Sequence, residues 1–409
     1  MWLYIQPNDT MFLRDGRPFD AGADVWAGCV FPPYPSTCYG MLRSLLVHIV
    51  NKNVDYKAFF KNVPEAFREI VGDTANLGSL SIRGPFLAEK NGNKIYLHIP
   101  APSDLFFDED ENGENNFYLL QPFPKSHLND FSDTEMPFCP LRFHEEIDGS
   151  ELEQGEGIIG EYHLAEYLKG DTKKSLLQGF QIENEFWKEE HSTIIKRSYE
   201  TLTAEEHQLA QPTHIRMNER ENQRGLLIHL DDAQNCFFEG IHTGRIGGEG
   251  RVCFIEKASV ENIPDDMELI ERIKETGFFR VILTSPGYFP VKGFYPDFLD
   301  DINGNLPEGE WKIEGENKRV RLVAMSTGQR ATRIGGWNLA TGAPKTMIKA
   351  VPVGSVYYFE LPDFDKNKDE KWITQLVASS LPGMLPGGKD EYCKQGFNTM
   401  LIGGWDYVS

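Results

Sequence analysis

The stretch RDGRPFDAGADVWAGCVFPPYPSTCYGMLRSLLVHI, residues 14–49, joins three unlike pieces. Two arginines, Arg14 and Arg17, open a long loop over 14–35. A proline-stiffened lead-in, Phe31-Pro32-Pro33-Tyr34-Pro35, follows. Then Met41, Leu42, Leu45, Leu46, Ile49 and Val50 recur with helical spacing, so 37–52 reads as a helix with one buried face. Ser36 or Thr37 is suited to cap it, since a hydroxyl accepts a bond from an unpaired N–H of the first turn. Arg43 and His48 lie off the apolar stripe. A helix start with open N–H groups beside basic side chains suits a phosphate; an ordinary core helix with a stiff approach has the same pattern.

The flanking segments extend this reading. Trp2 to Gln6 is a first strand, Val54 to Val71 holds a short helix, and Ser79–Ala88 with Lys94–Ile99 form a hairpin around Asn91-Gly92-Asn93. Strand, helix and hairpin open a ferredoxin-like βαββαβ unit, a fold whose bare sheet face binds RNA in RNA-recognition motifs. The expected class is therefore α+β, with a ferredoxin-like (RRM-like) βαββαβ domain over residues 1–205 that carries a loop-rich acidic insertion over about 100–200, and a second domain over residues 206–409 that the resemblance below implies is ferredoxin-like too. In the second half, 266–276 reads as a helix with Met267, Ile270 and Ile273 inward and Gly277 as its stop. Strands follow at 278–283, 319–325 and 353–361, and a helix at 370–381.

The net charge of −21 argues against nucleic acid only until its distribution is read. Residues 104–161 carry sixteen Asp and Glu against Lys125 and Arg142, so two thirds of the excess lies there. Such a segment is expected to avoid RNA and to face solvent or a basic partner. Residues 317–359 contain no acid and carry Lys318, Arg319, Arg321, Arg330, Arg333, Lys345 and Lys349. That is the footprint of an anion-binding face, or of strands whose counter-charges lie elsewhere in the fold. Six scattered cysteines without a C-x-x-C pair imply no disulfide framework and no zinc site, and fit a reducing cytoplasm. No apolar run reaches 18 residues and the first residues lack a signal-peptide pattern, so no membrane association is expected.

Two short phrases repeat. Arg-Ile-Gly-Gly stands at 245–248 and 333–336, and Ile-Gly-Gly-Trp at 334–337 and 402–405. Adjacent glycines let backbone N–H groups line a concavity, and a neighbouring arginine adds charge. Arg216, Arg220 and Arg224 stand four apart, ahead of the apolar strand Gly225 to Leu230; the family resemblance below implies that they are exposed.

The residues FPPYPSTCYGMLRSLL after LRDGRPFDAG, the loop GRIGGEGR and the block MSTGQRATRIGGWNLATGAPKTMIKAVPVGSVYYFEL together resemble the RAMP superfamily of CRISPR proteins. More narrowly, they resemble the subunit of the type III-B (Cmr) effector complex that holds the guide RNA. The resemblance is strong at 12–46, 240–251, 325–361 and 395–405, and thin across 100–205. It implies two facing ferredoxin-like domains and a non-catalytic cytoplasmic subunit without cofactor or metal. It also implies contacts to the crRNA 5′ handle, to the large polymerase-like CRISPR subunit and to the backbone RAMP subunit of the same complex. Carried over by motif, the RNA contacts are Arg14, Arg17, Thr37, Tyr39, Arg43, Arg245, Gly247, Gly248, Arg251, Gln329, Arg330, Arg333 and Lys345. Tyr39 or Trp337 is expected to stack on splayed bases. Two alternatives stand beside this reading. One is a metal-independent crRNA-processing endoribonuclease using His242 as general acid or base. The other is a structural protein adaptor that docks its basic run on an acidic partner.

Overall fold

In the computed structural model of the chain, the residues described are 1–14, 26–50, 59, 62–109, 115–124, 138–143, 152–154, 157–170, 186–217, 223–231, 238, 240–261, 266–300, 306–328, 330–338 and 341–407. They form a mixed α+β structure in which strands predominate.

Alternation of apolar residues along Trp2–Pro7 explains why this strand lies inside a sheet. Leu3 and Ile5 point to one side and Tyr4 to the other, and all three are fully buried. Its neighbours are Gln223–Leu230 and Arg251–Ala258, both antiparallel. The whole seven-stranded sheet runs Ile158–Gly160, Lys94–Pro100, Ile82–Asn91, Gln223–Leu230, Trp2–Pro7, Arg251–Ala258, His242–Ile246. The break expected at 205/206 is thus not a sheet boundary. The strands of 223–258 complete the sheet begun by Trp2–Pro7, and the second large sheet begins only with Phe278–Leu283. Hydrogen bonding between strands distant in sequence decided this, and hydrophobic periodicity carries no record of it.

The second sheet runs Glu308–Ile313, Glu316–Ser326, Val356–Glu360, Phe278–Leu283, Thr399–Gly403, Gly383–Met384. Counted along the chain, Ile82–Asn91, Gln223–Leu230, Trp2–Pro7 and Arg251–Ala258 in the first sheet, and Glu316–Ser326, Val356–Glu360, Phe278–Leu283 and Thr399–Gly403 in the second, stand side by side in the order two, three, one, four.

Helices cover one face of each sheet. Met41, Leu42, Leu45 and Leu46 of the helix Pro35–Val50 pack on Leu3, Ile5, Leu226 and Ile228. Asp266–Thr276 and Lys366–Ala378 cover the second sheet through Leu269, Ile273, Trp372 and Leu376. Met267, expected inward, is exposed instead; Leu269 takes the inner position. The remaining faces meet each other. Tyr4, Phe86, Leu97 and Leu227 share one cluster with Ile282, Val323, Tyr358 and Trp405. The bare sheet face that an RNA-recognition motif offers to bases is therefore consumed here by packing.

The two ends of the acidic segment are built into this seam. Leu105, Phe117, Leu119, Leu164 and Tyr167 lie in the same cluster, and Ile158–Gly160 is an edge strand of the first sheet. At its centre Asp104 is fully buried. It accepts hydrogen bonds from Arg280 Nη1 (2.9 Å), Tyr167 Oη (2.8 Å) and Tyr358 Oη (2.8 Å). Arg280, equally buried, also donates to the Tyr167 carbonyl and lies over the Tyr167 ring. A buried ion pair needs this degree of satisfaction to repay its desolvation.

Candidate nucleic-acid interface

The helix Pro35–Val50 starts at the proline, so Ser36 and Thr37 lie inside its first turn and neither is its cap. Proline suits a first helical position because its missing N–H had no partner there, and the Thr37 N–H bonds the Tyr34 carbonyl at 2.8 Å. Tyr39 is only 3% exposed within the first core. Burial pushes its phenol up to about 12, and its hydroxyl has no hydrogen-bond partner among the described residues. It is closed to base stacking. Arg43 donates through Nε to the Val71 carbonyl (2.5 Å) and through Nη2 to the Asp73 carbonyl (2.7 Å). It thereby ties the end of the helix Glu65–Val71 to the long helix. Arg14 is exposed on an isolated bridge to Cys29. Arg17 and Gln329 lie outside the described residues.

The first glycine phrase is the turn of the hairpin His242–Ile246 and Arg251–Ala258. Gly247 has φ +70°, and a Cβ there would lie 2.3 Å from the Phe12 carbonyl oxygen. The Gly248 N–H donates to that same oxygen at 2.7 Å. The glycines serve an approach to the chain's own backbone, so the Gly248 amide is not open to a phosphate. Arg251 is held by Glu249 (2.7 Å), with His214 Nε2 at 3.1 Å. The Arg216 guanidinium closes the same network on Asp9 (2.7 Å) and Glu190. The hydrogen bond from Arg216 holds the carboxyls of Asp9 and Glu190 below the usual carboxylate range. Arg245 is exposed and has no ion pair among the described residues. Of the arginines expected to be exposed nearby, Arg224 is buried, paired with Glu89 (3.1 Å) and set against the Phe186 ring. Arg220 lies outside the described residues.

The acid-free run 317–359 divides in two. Lys318 pairs with Asp369 (2.6 Å), Arg319 with Glu308, and Arg321 with Glu308 (2.5 Å) and Glu360 (2.7 Å). These three cations have counter-charges on neighbouring elements. Arg330, Arg333, Lys345 and Lys349 have none among the described residues, and all four are exposed. They sit on or beside two short ladders, Thr332–Ile334 with Ile348–Ala350 and Trp337–Asn338 with Ala343–Pro344.

In the first ladder Arg333 stands directly opposite Lys349. Like charges in such a pair repel. The Tyr34 hydroxyl donates to the Arg333 carbonyl (3.2 Å), which fastens this ladder to the lead-in of the long helix. Although Lys345 is exposed over the residue as a whole, desolvation around its ammonium, and then the positive charge of Arg43, hold that group below its ordinary value. Residues 34–43 and 333–345, remote in sequence, therefore share one neighbourhood. Lys349 was absent from the residues singled out by motif; its position opposite Arg333 is what marks it.

His242 packs edge-on to Phe238, and its Nε2 is buried without a partner among the described residues. No carboxylate or amine is positioned on that nitrogen among the described residues. Nor do three or more His, Cys, Asp and Glu gather there as a metal site. No helix among them is long and apolar enough to cross a membrane.

With this geometry in place, comparison with known proteins assigns the chain. Residues 3–405 match the family model described as CRISPR-associated protein (Cas_Cmr3), and the chain belongs to that family. The resemblance drawn from residues 12–46, 240–251, 325–361 and 395–405 is borne out at the level of the family. Among solved structures the chain is similar to one in "Cryo-EM structure of the Type III-B Cmr-beta bound to cognate target RNA". The identity is 15% and the TM-score 0.47, with 98% of this chain and 96% of that one covered. A second, from the same complex with target RNA and AMPPnP, matches at 14% identity and the same TM-score. No curated protein matches the chain.

Proposed function

We propose that the protein is a non-catalytic crRNA-binding subunit of a type III-B CRISPR effector complex, a cytoplasmic ribonucleoprotein. It anchors the 5′ handle of the guide and docks the large polymerase-like subunit and the backbone RAMP subunit. Each sheet with its helices is a ferredoxin-like unit; the shared two-three-one-four strand order supports that reading. Because the inner faces pack on each other, RNA is held at the hairpins and the helix lead-in.

The observation that carries the proposal is the Arg333–Lys349 pair, two like charges opposed on one ladder with no acid beside them among the described residues. An anion between them turns repulsion into attraction, and a phosphodiester supplies one at each step of a strand. Arg330 and Lys345 extend the same surface.

The test is a salt titration of binding by the full chain to a guide RNA with its native 5′ handle, and to one with the handle scrambled. It is run in EDTA, with the RNA checked on a denaturing gel. The expected result is tighter binding to the native handle and intact RNA. The Arg333→Ala, Lys349→Ala double variant should lower the slope of log K against log salt by about 1.4, from about 0.7 per lost phosphate contact. Superimposable curves for wild type and double variant would sink the proposal and favour the protein adaptor.

A further inference from the structure

The tetrapeptide Ile-Gly-Gly-Trp occurs twice and meets two opposite fates. In the copy at 402–405 the tryptophan is fully buried. Its Nε1 donates to the carbonyls of Phe279 (3.0 Å) and Phe359 (2.9 Å), and its ring stacks on Phe278. That residue is a core anchor. In the copy at 334–337 the tryptophan is 58% exposed. It sits opposite Pro344 on the two-residue ladder, and no ring, cation or hydrogen-bond partner meets it among the described residues. The core therefore gives no reason for the largest side chain to stand here.

The surroundings give one. The Lys345 N–H bonds the Gly336 carbonyl at 2.8 Å, and the Lys345 stem passes 3.5 Å from where a Cβ on Gly336 would lie. The lysine thus runs past the residue that carries Trp337. The Arg333–Lys349 pair stands on the adjoining ladder, anchored by the Tyr34 hydroxyl. An exposed indole with uncompensated cations on its own and the adjoining ladder matches an unpaired nucleotide, whose base presents a flat π face and whose phosphates present negative charge. Tyr39, the other aromatic placed near the phosphate-binding motifs by sequence, is buried.

We propose that Trp337 is a stacking platform for one unpaired RNA base, with the flanking phosphates on Arg333, Lys345 and Lys349. This rests on the RNA-binding reading above and adds to it a residue that holds a base by its face. Stacking accepts every base, so Trp337 fixes the position of a nucleotide and leaves its identity unread.

The experiment uses the full chain and guide RNAs in which 2-aminopurine replaces one nucleotide of the 5′ handle at a time. Wild type should quench the fluorescence at one position, or at two adjacent ones. Trp337→Ala should abolish that quenching and weaken binding by about 5- to 150-fold, the range set by base–aromatic stacking. Its salt slope should match wild type, because no charge is lost. Trp337→Phe should keep most of both signals. The urea midpoint of Trp337→Ala should equal that of wild type, since the indole supports nothing. If wild type binds the RNA and Trp337→Ala quenches and binds as wild type does, stacking is overturned while RNA binding stands. If wild type binds no guide RNA, both fall.

Discussion

The hairpin at 242–258 and the ladders at 332–350 share the phrase Arg-Ile-Gly-Gly, and they use it differently. In the first, the glycine turn lies against Phe12, its own Arg245 stands exposed without an ion pair among the described residues, and the arginine that follows the turn, Arg251, is neutralised by Glu249. In the second, Arg333 faces Lys349 and no acid answers either among the described residues. The words are the same; the neighbouring charges differ. A glycine-arginine phrase makes an anion site where the fold sets a second uncompensated cation against its arginine, as Lys349 stands against Arg333. Elsewhere it is a tight turn whose amide is spent on the chain's own backbone, as Gly248 is on Phe12.

The largest expected effect comes from removing the frame on which both regions are held. Asp104→Ala leaves Arg280 buried without its carboxylate, which should cost about 3–5 kcal/mol and show as a large fall in the urea midpoint. A shift under about 1 kcal/mol would mean that the seam tolerates a lone guanidinium. Next in size is the contrast in RNA affinity. Arg330→Ala with Arg333→Ala should weaken guide RNA binding about tenfold per arginine, as loss of a charge-assisted contact does. Arg251→Ala should change it by less than about threefold, because Arg251 is committed to Glu249. Equal losses from both sets would erase the distinction.

The glycines sharpen the comparison on the stability side. Gly247→Ala forces a Cβ against the Phe12 carbonyl at a positive φ and should destabilise by about 2 kcal/mol. Gly336→Ala, at φ +144° with only the Lys345 stem nearby, should destabilise by about 1 kcal/mol. Denaturant midpoints of the two variants decide this.

The smallest effect is one of acidity. Asp9 and Glu190 titrate below the usual carboxylate range because Arg216 bonds them. A carboxyl lowered in the folded state adds stability above its unfolded pKa of about 4, and that stability is lost as pH falls through the lower folded value. The drop in urea midpoint between pH 7 and pH 3 should therefore be smaller in Asp9→Asn than in wild type. An identical drop would show that this network does not anchor the first hairpin.

Much of the fold could be read from sequence, and for physical reasons. The helix at 266–276, its stop at Gly277 and the strand at 278–283 follow from periodicity and from a backbone position at φ +74°. The burial of Tyr39 was also legible, since it stands three before Leu42 and seven before Leu46 on the buried face. Which strands pair was not legible, because Trp2–Pro7 finds its partners more than 200 residues away. The cationic run misled for a related reason. Its acids sit just outside it, at Glu308, Glu360 and Asp369, and only strand pairing and helix docking bring them to Lys318, Arg319 and Arg321.

The placement of Trp2–Pro7 also has a consequence for how the protein is made. Both hydrogen-bonding neighbours of this strand are encoded after residue 222. A ribosome adding about 5–20 residues per second completes the first of them about 11–45 s after the strand itself. Through that interval the nascent chain carries Leu3, Tyr4 and Ile5 with neither ladder formed. A nascent-chain complex stalled before residue 222 should therefore expose that segment to chaperones and protease, and one stalled well beyond residue 258 should bury it.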